Sequence, residues 1–120
     1  MKEPGDGFKA AVVATILDYK TERALELLCE YYHLELPKLG VGTTKGHSKG
    51  VLAVYSANRK EILAVSQEYL YDPFVMLHEF YHHLRNFAGH HRGTEKNADK
   101  FALDYIAAYR RLAMGSSKTK

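Results

Sequence analysis

Between Asp72 and Gly89 the chain is constrained to a single helix, and that helix carries His78-Glu79-Phe80-Tyr81-His82 in its middle. Asp72 supplies an N-cap, and Pro73 takes the first helical position, where its missing N–H removes nothing. Leu77, Phe80, Tyr81, Leu84 and Phe87 recur at spacings of three and four, which predicts a buried stripe. Gly89 is a natural C-terminal stop. The pattern predicts a helix from Pro73 to Ala88. His78 and His82, at i and i+4, then lie one above the other on a different face from Leu77 and Leu84.

Two imidazoles one turn apart can hold one zinc ion, and the glutamate between them can reach a water on that ion. The same spacing also occurs on a surface helix whose histidines are merely solvated. Catalytic zinc takes three protein ligands and leaves a fourth position for water, so the next segment matters. Thr94 is an N-cap, and Ala98, Phe101, Ala102, Tyr105, Tyr109 and Leu112 form an apolar stripe at helical spacing. Glu95 leads that stripe and is expected to point inward, where an acid needs a partner such as a metal. A helix N-terminus also welcomes a carboxylate without any metal. Asp99, one turn further on, lies on the same face as Glu95. It suits the ring N–H of a metal-bound histidine, or it is simply solvated. His82 to Ala88 covers roughly 9 Å of helix, and the link from Gly89 to Thr94 can span up to roughly 20 Å. Glu95 can therefore return beside His82.

H-E-x-x-H followed on the next helix by E-x-x-A-D resembles the gluzincin metallopeptidases. The shortness of the chain resembles the minigluzincins, single-domain archaeal relatives of the catalytic domains of membrane-embedded CAAX-processing and heat-shock peptidases. The matching stretch runs from about Glu61 to Tyr105. The resemblance implies Zn2+ on His78, His82 and Glu95, Glu79 as general base and acid, Asp99 behind a ligand histidine, and a peptide or protein substrate. It also implies a cleft-rim strand that pairs with extended substrate. Glu61 to Ser66 is the candidate for that strand, with Val41 to Thr44 as the alternative. No His, Tyr or Arg of the chain matches the oxyanion donor of such enzymes.

The remaining sequence reads as follows. Phe8 to Tyr19 and Thr21 to Leu34 are helical, as one bent helix or two. Leu36-Pro37 breaks the pattern, and Leu39 to Gly42 reads as a short strand for which Pro37 favours an edge or an entry position. Thr43 to Gly50 is a polar loop. Val51 to Ser56 and Glu61 to Ser66 form a hairpin around Asn58-Arg59-Lys60. Met114 to Lys120 reads as a frayed tail. The expected fold is α+β: a small three-stranded sheet with a backing N-terminal helix, the H-E-x-x-H helix and a following glutamate helix.

With 120 residues the chain makes one domain, with residues 1–6 and 115–120 as flexible ends. A net charge of +3 without a clustered basic face argues against nucleic acid. No apolar run is long enough to span a bilayer, and the charged start, Met1 to Asp6, does not read as a signal peptide. Cys29 stands alone and forms no internal disulfide, which points to a reducing, cytoplasmic setting and an inert packed thiol. The oligomeric state is open, a homodimer included. His83 follows the motif by one residue and so points away from the metal face. His90, His91 and His47 are either substrate or oxyanion contacts or exposed loop histidines. Three outcomes stay open: a zinc peptidase, a latent peptidase filled by its own terminus, and a zinc-binding domain without turnover. A helical module with a chance motif is the fourth.

Overall fold

The structure, a computed structural model, describes residues 3–42, 51–87 and 95–118; of Phe87 and residues 115–118 it describes the backbone alone. The helices are α1 (Asp6–Leu17), α2 (Thr21–Tyr32), α3 (Pro73–Phe87) and α4 (Glu95–Lys118), and the strands are β1 (Lys38–Val41), β2 (Ala53–Ser56) and β3 (Glu61–Ala64). The α+β expectation holds. Thr43 to Gly50, His90, His91 and the proposed Thr94 cap lie outside the described residues. Among those described, no helix is long and apolar enough to cross a membrane.

Residues 8–34 form two helices. Tyr19 adopts a left-handed φ of 65°, and the Lys20 amide reaches back to the Thr15 carbonyl at 3.0 Å. That six-to-one bond closes α1 and frees the chain to turn. α2 ends the same way: His33 has φ 61°, and the Leu34 amide donates to the Cys29 carbonyl at 2.9 Å. Neither end uses glycine, so neither was marked in the sequence.

The sheet order is β1-β3-β2, with β1 parallel and β2 antiparallel to β3. Pro37 enters the edge strand β1, as its missing donor requires. The expectation that the Glu61–Ser66 strand lies along the cleft rim fails. β3 is paired on both sides, Leu39 to Ile62 on one and Tyr55 to Ile62 on the other, so it has no open edge to offer. β2 and β1 are the outer strands. A short 3-10 turn, Gln67–Tyr71, absent from the sequence reading, carries the chain from β3 to α3.

Ile62, Ala53 and Ala64 of the sheet join one core with Val75, Met76, Leu77 and Phe80 of α3, Val12, Val13 and Ile16 of α1, Leu25 and Leu28 of α2, and Ala102 and Tyr105 of α4. α4 runs antiparallel to α1: Lys9 of α1 pairs with Asp104, and Asp6 with Arg111 at 2.9 Å. Lys9 is almost fully buried. Burial opposes its charge, but Asp104 and Glu3 outweigh that and hold its pKa above the usual lysine value. Beyond Arg111, α4 has left α1 behind. Leu112 and Met114 are therefore exposed, against the stripe expected from sequence. The backbone stays helical to Lys118 where a frayed tail was expected.

Two predictions follow from these helix ends. His33→Gly removes the strain of a side chain at left-handed φ, roughly 1–2 kcal/mol, against about 0.5–1 kcal/mol for the added freedom of the unfolded chain, and should raise Tm by about 2–5 °C in a thermal melt. Burial pushes the Cys29 thiol up to about 11 from 9.0, while its Sγ meets the Glu35 carbonyl at 3.6 Å. The folded state holds this proton more tightly than the unfolded chain does. That contribution to stability is complete below pH 9 and lost as pH rises toward 11. At pH 8 the native thiol should resist alkylation that the denatured chain undergoes, as read by mass spectrometry.

Candidate metal centre

The site starts with the cap. Asp72 Oδ1 accepts from the amides of Phe74 and Val75 at 3.0 and 3.3 Å, which fixes where α3 begins and so which residues face which way. Leu77 and Phe80 are fully buried. His78 and His82 emerge on another face, with ring centroids 5.1 Å apart.

α4 brings the carboxylates. Glu95 Oε1 lies 2.7 Å from His78 Nε2, and its Oε2 lies 3.3 Å from His82 Nε2. Asp99 Oδ1 lies 2.9 Å from His78 Nδ1. Donor atoms of His78, His82 and Glu95 all fall within 4.8 Å of one another. All four residues expected to form the ligand set and its support are thus together. One expectation is corrected: Glu95 does not point into the core. Its side chain is 76% exposed, because it opens the first turn of α4 at the surface and reaches sideways to the imidazoles.

The donor chemistry fits a cation. Both nitrogens of His78 face carboxylate oxygens, and a carboxylate can only accept. Each nitrogen must then carry hydrogen, or one must face a positive ion. Nδ1–H donating to Asp99 leaves Nε2 for the ion, the usual arrangement behind a metal-bound histidine. Two imidazoles and a carboxylate, with the site open to solvent on the Glu95 side, make a group of three residues that could hold a metal ion with a position to spare.

Glu79 is 7% exposed, with Oε2 at 3.9 Å from His78 Nε2. Burial, and then the charge of Glu95, push its carboxyl up to about 8. His82 is held below the usual imidazole value by burial, with His78 adding to the shift and Glu95 opposing it.

Two features escaped the sequence reading. His83 was placed away from the metal face, correctly, but its destination was not: it is wholly buried and hydrogen-bonded on both nitrogens. Arg85 was not singled out. It lies one turn beyond His82 on the histidine face, with its guanidinium 5.9 Å from the Tyr81 ring centre. Its Nε is buried without a hydrogen-bond partner among the described residues. The i+3 spacing from His82 was the available signal.

Comparison of the chain with models of protein families, with curated proteins and with solved structures finds no match. The gluzincin resemblance thus rests on the motif residues themselves.

Asp99→Ala should leave a site that still binds zinc, with affinity lower by about 10–100-fold. Competition against a chromogenic chelator measures this, and unchanged affinity would remove Asp99 from the site. Zinc should raise the Tm of the parent chain, and EDTA should reverse the rise.

Proposed function

We propose that this chain is a zinc-dependent peptidase that hydrolyses peptide bonds, with His78, His82 and Glu95 as metal ligands and Glu79 as general base and acid. The single observation that carries this reading is the meeting of five groups from two helices. Glu95 spans both Nε2 atoms, Asp99 backs His78, and buried Glu79 stands 3.9 Å from the same nitrogen. A solvated surface helix supplies no reason for two carboxylates from a second helix to converge on one imidazole.

Zinc bound at such a set activates water and polarises a carbonyl. The chain's own residues do the rest. His78 and His82 hold the ion with rings set by the rigid helix, and Asp99 keeps His78 in the tautomer that leaves Nε2 available. Glu79 is suited to moving a proton. A carboxyl near neutral pKa can take a proton from water and return it to the departing amine. The Leu77 and Phe80 side of α3 is locked in the core, so these groups need little reorganisation.

The outer edge of β2, unpaired among the described residues, is where an extended substrate would add as a strand. β2 packs against α3, whereas β3, the strand expected from sequence, is already paired on both sides.

A second reading is a zinc-binding domain with little turnover. It is favoured by His83, because the third imidazole of α3 is turned into the core and stabilises no oxyanion.

The test is Glu79→Gln in the zinc-loaded chain. We expect retained metal stoichiometry and a loss of hydrolysis of roughly a hundredfold or more, scored on a mixed peptide library. Parental zinc occupancy with no cleavage of any peptide would support the second reading instead.

A further inference from the structure

β2 is joined to α3 by an unbroken line of hydrogen bonds that the metal site does not use. The Glu35 carbonyl, in the connector between α2 and β1, can only accept, so His83 Nε2 carries the hydrogen it receives at 2.7 Å. The lone pair on His83 Nδ1 then accepts from the Tyr55 hydroxyl at 2.7 Å. The Tyr55 oxygen accepts in turn from Asn86 Nδ2 at 3.3 Å. Every group in the line has its partner, and the Tyr55 and His83 rings meet edge-on at 5.3 Å.

Position gives the line its meaning. Glu79 and His83 are four residues apart, so they stack on one face of α3, and Asn86 continues it. β2 lies along the face that carries the candidate base. Among the described residues it is also an outer strand, paired to β3 on one side only. Apolar contact alone would hold β2 near α3 but would let it slide, because dispersion and hydrophobic forces are not directional. The hydrogen bonds at Tyr55 fix both its height and its register. A shift of one residue along a strand would turn every side chain to the other face.

We propose that Tyr55 and His83 are positioning residues: they pin the open edge of β2 at a set distance from Glu79, so that an extended peptide added to that edge presents its backbone to the site in one register. The proposal rests on the hydrolytic reading for the identity of the occupant, an unfolded polypeptide segment.

The experiment uses the full zinc-loaded chain in the Glu79→Gln background, with a blocked peptide of about eight residues, long enough to cover a strand, and a blocked dipeptide. The long peptide is expected to slow amide exchange at residues 53–56. Adding Tyr55→Phe, which removes one hydroxyl, should weaken the long peptide by at least about tenfold, since small misplacements at a site are costly. Dipeptide binding and zinc stoichiometry should stay unchanged. Asn86→Ala, at the half-exposed end of the line, should act in the same direction more weakly and guards against a Tyr55 variant that folds poorly. Three results would each overturn the proposal: no protection at residues 53–56 in the parent background, undiminished long-peptide binding in Tyr55→Phe, or equal weakening of both peptides. Cleavage of the same long peptide by the chain with Glu79 intact is measured beside these. Binding on β2 with no cleavage would defeat the hydrolytic reading and leave the positioning role standing.

Discussion

An ionisable side chain drawn out of water has to find a partner or give up its charge, and α3 brings five such groups into play within eight residues: His78, Glu79, His82, His83 and Arg85. Three kinds of answer appear among the histidines and the glutamate. His83 finds a carbonyl and a hydroxyl in the core. His78 and His82 find carboxylates from α4. Glu79 yields, its pKa pushed up to about 8 by burial and by Glu95. One helix thus separates a packed polar anchor from the candidate metal-binding face by rotation alone.

What the candidate metal-binding face receives depends on where α4 lies, and α4 is placed from a distance. The Asp6–Arg111 and Lys9–Asp104 pairs set it antiparallel to α1. The hydroxyls of Tyr32 and Tyr105 meet at 3.0 Å and tie it to α2. Phe101 packs near Phe80 and Tyr81, with ring centres 6.2 and 5.5 Å away. Sliding α4 by one turn would move Glu95 about 5.4 Å along its axis, more than the whole 4.8 Å spread of the three donors. The site therefore inherits its tolerance from contacts on the far side of the molecule.

Local rules made α3 legible: a cap, a proline and apolar spacing gave its start and its faces, and the four-residue period put His78 and His82 together. The stripe of α4 likewise marked Glu95 and Asp99. What failed to show was everything that depends on a second element. Leading an apolar stripe did not make Glu95 inward, because a helix's first turn can project beyond the surface it packs on. The hairpin pattern was visible, but not that β1 would pair in parallel on the other side of β3 and take away its open edge. The two left-handed helix ends, at Tyr19 and His33, lack the glycine that would have marked them in the sequence. The strain is borne because the six-to-one hydrogen bonds and the packing around them hold it. His83 read as a spare histidine since its partners, Tyr55 and the Glu35 carbonyl, are far away in sequence.

Small zinc domains whose metal is structural borrow their folding energy from the ion and lose their shape without it. The arrangement here separates the two tasks. α3 and α4 are joined by Phe80, Phe101, Ala102 and Tyr105, buried or partly buried apolar groups that owe nothing to a metal. The donors meet at a surface opening beside that contact and are already drawn together by hydrogen bonds. Free energy released on binding an ion at such a site is not consumed in assembling the fold. Under the proposed hydrolytic reading it would remain available to hold an ion whose outer face stays open, which is what a reacting group needs and a structural clasp does not.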